Sequence, residues 1–189
     1  MFTMSGGSDG ILWLVDSVAD TDGDDFPDFV APGFASQGAP AVRLFSGAPE
    51  GITTLGTGCA SSLGLEPRIG CTFVPRRGQP FSVNLSRVRS GAPAFLMLGA
   101  SSTSWNQFSL PLELSPIGMP GCWLRTSPDV VAAATTVGPP GKGRASVALS
   151  IPNDPLLAGQ SLFAQWFVLE PAGATQPAAT TRALRITIQ

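Results

Sequence analysis

The chain has 189 residues, 43% hydrophobic and only 13% charged, with a net charge of -2, which is enough for one domain, or a domain plus a small module, around a real core. It contains no His, so imidazole acid–base chemistry, Ser-His-Asp and Cys-His nucleophiles and His-ligated zinc are excluded within one chain. Gly 22 and Pro 18 leave little room for long helices, the scattered basic residues give no footprint for nucleic acid, and no apolar run approaches the ~18 residues of a membrane span.

Met1-Phe2-Thr3-Met4-Ser5-Gly6-Gly7 shows neither the basic nor the apolar region of a signal peptide. Met1–Ser8 is expected to dock on another surface, such as a neighbouring copy, since free termini are seldom ordered. Gly6-Gly7-Ser8-Asp9-Gly10 matches the G-x-S-x-G pattern of a nucleophile elbow. It is read without the strand before it, the helix after it and the His partner that such an elbow needs, so Ser8 is not expected to be catalytic. The apolar run Ile11–Val15 predicts a strand leading through Asp16–Ala19 into an acidic loop. Phe29–Ala31 follows as a short strand with Pro32-Gly33 as its stop, and Ala41–Phe45 alternates up to Ser46-Gly47.

From Gly56 to Gly64 the chain turns to Gly, Ser, Thr and Cys, a linker or domain entrance. The expected division is therefore a small β module over 1–56 and a second domain over 57–189. Strands are predicted at 68–74, 80–86, 93–99, 109–114, 121–126, 130–136, 144–151, 161–170 and 182–188, with a helical turn as the alternative over Asp129–Thr136. Val83-Asn84-Leu85, Val147–Ile151 and Leu184–Ile188 alternate as half-buried strands do. Short, evenly spaced strands with Gly/Pro turns predict an all-β fold, an antiparallel sandwich or jelly roll. Trp123 and Trp166 lie in predicted strands and read as core. Trp105, in Ser101-Ser-Thr-Ser-Trp-Asn-Gln107, reads as a rim residue folded over the sandwich end, with a sugar-stacking platform as the alternative. Glu113, Asp129, Asp154 and Glu170 are the carboxylates open to glycosidase chemistry, but Asp129 and Asp154 sit in turn and cap contexts. Gly138-Pro-Pro-Gly-Lys-Gly143 resembles a phosphate loop only superficially, because its prolines remove needed amides and no Ser/Thr follows Lys142; it reads as a hairpin turn. The odd cysteine number, Cys59, Cys71 and Cys122, permits three pairings and no C-x-x-C metal site.

The acidic loop carries the chemistry. Asp20-Thr-Asp-Gly-Asp-Asp-Phe-Pro-Asp28 places five of the 13 acidic residues in one turn. Such crowding is repulsive unless a cation neutralises it. Asp20, Asp22, Asp24 and Asp28 offer side-chain oxygens and Phe26 its carbonyl, with Gly23 easing the turn, a hard-oxygen set suited to Ca²⁺. An EF-hand is excluded, because Asp25 stands where it needs Gly and Ala31 where it needs a bidentate Glu. The bland alternative is a solvated acidic turn of local Asx bonds.

Asp20–Asp28, continued by Phe29-Val-Ala-Pro-Gly33 and Val42-Arg-Leu-Phe-Ser-Gly47, resembles a single FG-GAP repeat, the calcium-binding blade unit of integrin-like β-propellers. That resemblance implies Asp20, Asp22, Asp24, Phe26 and Asp28 as Ca²⁺ ligands. One blade cannot bury its own faces, so it needs the second domain, another chain or further repeats. Gly56-Thr-Gly-Cys59, Pro67–Gly70, Gly91–Leu96, Leu110–Leu114, Gly121-Cys122, Ser127-Pro-Asp129 and Ile151–Pro155 resemble an uncharacterised terminal domain of secreted planctomycete-like bacterial proteins. It covers about two thirds of the chain and implies a Cys59–Cys122 bridge, with Cys71 free. The combined expectation is a non-enzymatic, extracellular or cell-surface structural protein, with a structural Ca²⁺ site and self-association as a homo-oligomer or filament. The alternatives are a carbohydrate-binding module for a polysaccharide and a C-terminal sorting or anchoring domain.

Overall fold

Branched and aromatic residues alternating with Ser, Thr and Asn set the strands. The computed structural model describes residues 2–5, 12–21, 26–34 and 40–189. These form an all-β chain with single 3₁₀ turns at Ser115–Ile117 and Pro155–Leu157. They divide into two compact units, Met1–Ala48 and Pro49–Gln189. Among the described residues no helix is long and apolar enough to cross a membrane.

The first unit is a four-stranded antiparallel sheet in chain order: β1 (Phe2–Ser5), β2 (Leu12–Ser17), β3 (Phe29–Phe34) and β4 (Pro40–Phe45). β1 is absent from the predicted strands. It pairs Phe2 with Val15 through Ser5 with Leu12, so this part of the N-terminal segment docks on its own chain. Pro32-Gly33 does not stop β3, which pairs with β4 as far as Phe34, while its described pairing with β2 is confined to Phe29 and Val30. A proline is tolerated where one flank of a strand carries no ladder.

The second unit begins with β5 (Ile52–Leu55), β6 (Arg68–Thr72), β7 (Pro80–Val88) and β8 (Pro93–Gly99). Four two-residue strands follow: β9 (Ser104–Trp105), β10 (Phe108–Ser109), β11 (Leu112–Glu113) and β12 (Trp123–Leu124). β13 (Val130–Thr135), β14 (Gly143–Ser150), β15 (Ser161–Leu169) and β16 (Ala178–Thr187) complete it. A five-stranded sheet, β13-β8-β15-β16-β5, packs on a three-stranded one, β14-β7-β6. The expected boundary at 56/57 moves to 48/49, because β5 pairs with β16 from Ile52–Ile186 to Leu55–Ala183 and so belongs to the sandwich. Residues 130–135 extend as a strand, not a helical turn, laddered along β8 from Val130–Leu98 to Thr135–Pro93.

Between the sheets lie Phe81, Val83, Leu85, Leu96, Trp166, Val168, Leu184 and Ile186, all fully buried. The alternation in β7 skips at Arg87, whose φ of 60° marks a bulge that turns Val88 back into the core. β7 and β8 run on from each other, as do β13 and β14, and the two pairs form one long ribbon bent from sheet to sheet. Buried Thr136 knits the bend: its hydroxyl donates to the Arg89 carbonyl (2.6 Å) and accepts from Ala92 N–H (2.8 Å). Gly143 is required opposite, since a Cβ there would lie 2.6 Å from the Arg89 carbonyl oxygen.

A second, smaller core lies on the outer face of the five-stranded sheet, and no sequence pattern announces it. Cys59, Leu110, Leu114, Met119, Cys122, Leu124 and Ala178 are buried together, with Met97, Trp105, Leu112 and Phe167 packed against them. Residues 56–64, expected as a linker, run instead beside β16, with Cys59 N–H donating to the Thr180 carbonyl at 2.9 Å.

Candidate functional site

The acidic loop joins β2 to β3, and its two ends are stapled by Asp28. This carboxylate is 1% exposed. Its Oδ2 accepts from Thr21 N–H at 2.7 Å and from the Thr21 hydroxyl, while Oδ1 accepts from Gly47 N–H at 3.2 Å. The Asp28 carbonyl accepts from Val18 N–H at 2.9 Å. One side chain thus ties the loop's entrance, its exit and the turn after β4. Gly47 must be glycine, because a Cβ there would lie 1.8 Å from the Pro27 carbonyl oxygen. The Phe26 side chain is buried as well, anchoring the loop beside the staple.

Of the candidate Ca²⁺ ligands, the structure describes Asp20, Phe26 and Asp28, whereas Asp22 and Asp24 lie outside the described residues. The staple joins the second and ninth positions of the loop, and half-buried Asp20 is the neighbour of Thr21 in the chain. Both Asp28 oxygens already accept hydrogen bonds, Oδ2 from Thr21 and Oδ1 from Gly47, so any hold of Asp28 on a cation is shared with them. Among the described residues no three His, Cys, Asp or Glu side chains cluster. The parts played by Thr21 and Gly47 escaped sequence reasoning. Gly47 lies nineteen positions from Asp28, and only the fold shows that they meet. Ser8 also lies outside the described residues.

The sandwich carries the other candidates. Cys59 and Cys122 form a disulfide, with Cα atoms 5.0 Å apart, at the centre of the second core. Cys71 is free on β6, and burial pushes its thiol up to about 12. Trp105 is half-buried against the second core and pairs across the β9–β10 hairpin with Phe108, ring centroids 6.0 Å apart. Trp166 is fully buried between the sheets, while Trp123 is half-buried with the Arg125 guanidinium 6.0 Å from its ring centre. Gln165, missed as a key residue, holds this region to the sheet. Its carbonyl accepts from Arg125 N–H and its amide donates to the Trp123 and Thr181 carbonyls, all at 2.8 Å.

The sandwich carboxylates have local duties. Asp129 accepts from Ala100 N–H (2.8 Å) and the Ser127 hydroxyl (2.9 Å), and Asp154 caps the Pro155–Leu157 turn through Leu156 N–H (2.9 Å). Glu113 accepts from the Ser115 hydroxyl at 2.7 Å, and Glu170 follows the end of β15. Gly138–Gly143 forms the turn closed by the Val137–Arg144 bridge. No protein-family model, curated protein or solved structure matches the chain.

Proposed function

We propose that the chain is a non-enzymatic extracellular structural protein that assembles with like copies, its N-terminal sheet stiffened by Ca²⁺ at the Asp20–Asp28 loop. The observation that carries this reading is the exposure of apolar side chains on the last strand of that sheet. Val42, Leu44 and Phe45 are 76%, 55% and 49% exposed; Val42 and Leu44 share one face of the strand and Phe45 takes the other. The exposed Val42–Leu44 pair is apolar surface of the kind on which protein packs on protein. The oxygen-only chemistry of the loop, with Asp28 buried and the loop closed at its neck, supports a hard cation in a structural role.

Calcium titration of the full chain by calorimetry, with thermal unfolding in Ca²⁺ and in chelator, tests the cation. The expected result is a binding heat and a higher unfolding temperature for the N-terminal unit, equivalent to about 2.7 kcal/mol at a hundredfold excess over Kd. Unfolding curves that superimpose in Ca²⁺ and chelator, with no binding heat, would overturn it. Light scattering on the same samples tests assembly separately.

A further inference from the structure

We infer that β13 is the strand by which two copies of this chain join, pairing antiparallel with its own counterpart so that two five-stranded sheets become continuous. This deepens the assembly reading above and rests on it. β13 ends its sheet, with β8 as its one neighbour. In an antiparallel ladder, alternate N–H and C=O groups of such a strand point away from its neighbour. Among the described residues none of these groups meets another donor or acceptor.

Sheet edges left open in this way normally carry a device against pairing. β14 has Arg144, opposite the bulge that Arg87 makes in β7; β6 has Arg68; β4 begins with Pro40; β5 has only four residues. β13 has none of these. Val-Val-Ala-Ala-Ala-Thr is uncharged, pairs with β8 without a register break and leaves Val130 and Val131 59% and 51% exposed.

The sequence of the strand fits a copy of itself. β8 beside it is uncharged too, so two-fold pairing sets no like charges opposite one another. Antiparallel pairing also carries Asp129, just before β13, towards the far end of the second copy's strand. There the Val137–Arg144 bridge holds an exposed Arg144, so the two-fold gives two opposite-charge encounters. A six-residue strand pair falls below the ~1,200 Å² of a standard interface, so association by this edge alone is weak and concentration-dependent.

Sedimentation velocity of the full chain over a wide concentration range tests this, comparing it with Val131→Lys, Ala133→Lys and, as a control, Leu156→Lys on the exposed 3₁₀ turn. The expected result is association of the parent and control chains, with at least a ~tenfold shift of the midpoint to higher concentration in each β13 variant. Hydrogen exchange on the parent chain should show alternate β13 amides gaining protection as concentration rises, a readout that needs no variant to fold. If parent and β13 variants associate equally and the β13 amides gain no protection, this inference is overturned while assembly by another surface stands. A parent chain monomeric at every concentration, with and without Ca²⁺, overturns both.

Discussion

The two units solve the same problem, burying strand faces, by different means. The sandwich covers its five-stranded sheet twice, by the three-stranded sheet on one face and the disulfide-centred core on the other. Gln165 and Trp166, neighbours in β15 that point to opposite faces, are therefore both fully buried. The N-terminal sheet has four strands and leaves Val42 and Leu44 open. Among the described side chains of this unit its clearest hold is a polar staple, in which one buried carboxylate gathers two donors from Thr21 at the other end of its loop and one from Gly47 in a distant turn. Apolar burial scales with area and spreads over many residues, whereas a staple concentrates the stabilisation in one side chain. The sandwich should therefore yield gradually to substitution, and the N-terminal sheet sharply at Asp28.

The largest expected effect is loss of the Cys59–Cys122 bond. It closes a loop of sequence separation 63, worth about 4 kcal/mol in the chain-entropy model. Reduction, or the Cys59→Ala/Cys122→Ala double variant, should lower the unfolding temperature of the sandwich in calorimetry while leaving the unfolding of the N-terminal unit unchanged. A joint loss of both would show that the two units unfold as one and would break the comparison.

Asp28→Ala should cost about 1–3 kcal/mol, chiefly from the half-buried Gly47 amide, since Thr21 is exposed and its donors can turn to water. The cost should fall on the N-terminal unit alone. Amide exchange at Thr21 and Gly47 should quicken while that of β15 and β16 stays unchanged. Asp28→Asn keeps one carbonyl acceptor and should fall between Ala and the parent. Equal exchange in all three chains would remove Asp28 from its role as staple.

What the sequence made legible follows the same division. Strands governed by local alternation or by Gly/Pro punctuation were readable, β8 at its observed bounds and β7, β14 and β15 within two residues at each end. β5 was not, because Ile-Thr-Thr-Leu becomes a strand through its ladder with β16, more than a hundred residues away. The second core was hidden for a related reason. The strands expected over 109–114 and 121–126 enclose β11 and β12, but β9 to β12 are two residues each, too short for any period to set their bounds. Trp105, Leu112 and Leu124 pack in the core around Cys59, and the Trp123 carbonyl accepts from Gln165. In the acidic loop the spacing of the aspartates pointed to a cation, but the same spacing could not show that Asp28 turns towards Thr21 and Gly47.

The smallest expected effect concerns Cys71, the one free thiol, on the outermost strand of the three-stranded sheet. Burial lifts it from 9.0 to about 12. Below pH 9 it is protonated whether the chain is folded or not, so it contributes no pH dependence there. Between pH 9 and about 12 the unfolded chain gives up this proton while the folded chain keeps it, so the unfolded state binds fewer protons and stability falls as pH rises. Cys71→Ser should flatten this part of the stability–pH curve of the sandwich and leave the N-terminal unit untouched. Native Cys71 should also alkylate slowly at pH 8, since the thiolate is the reacting form. Rapid alkylation of the folded, unreduced chain would show that β6 opens at the sheet edge. In that case the contrast between a covered sandwich and an open N-terminal sheet would hold for the five-stranded sheet alone.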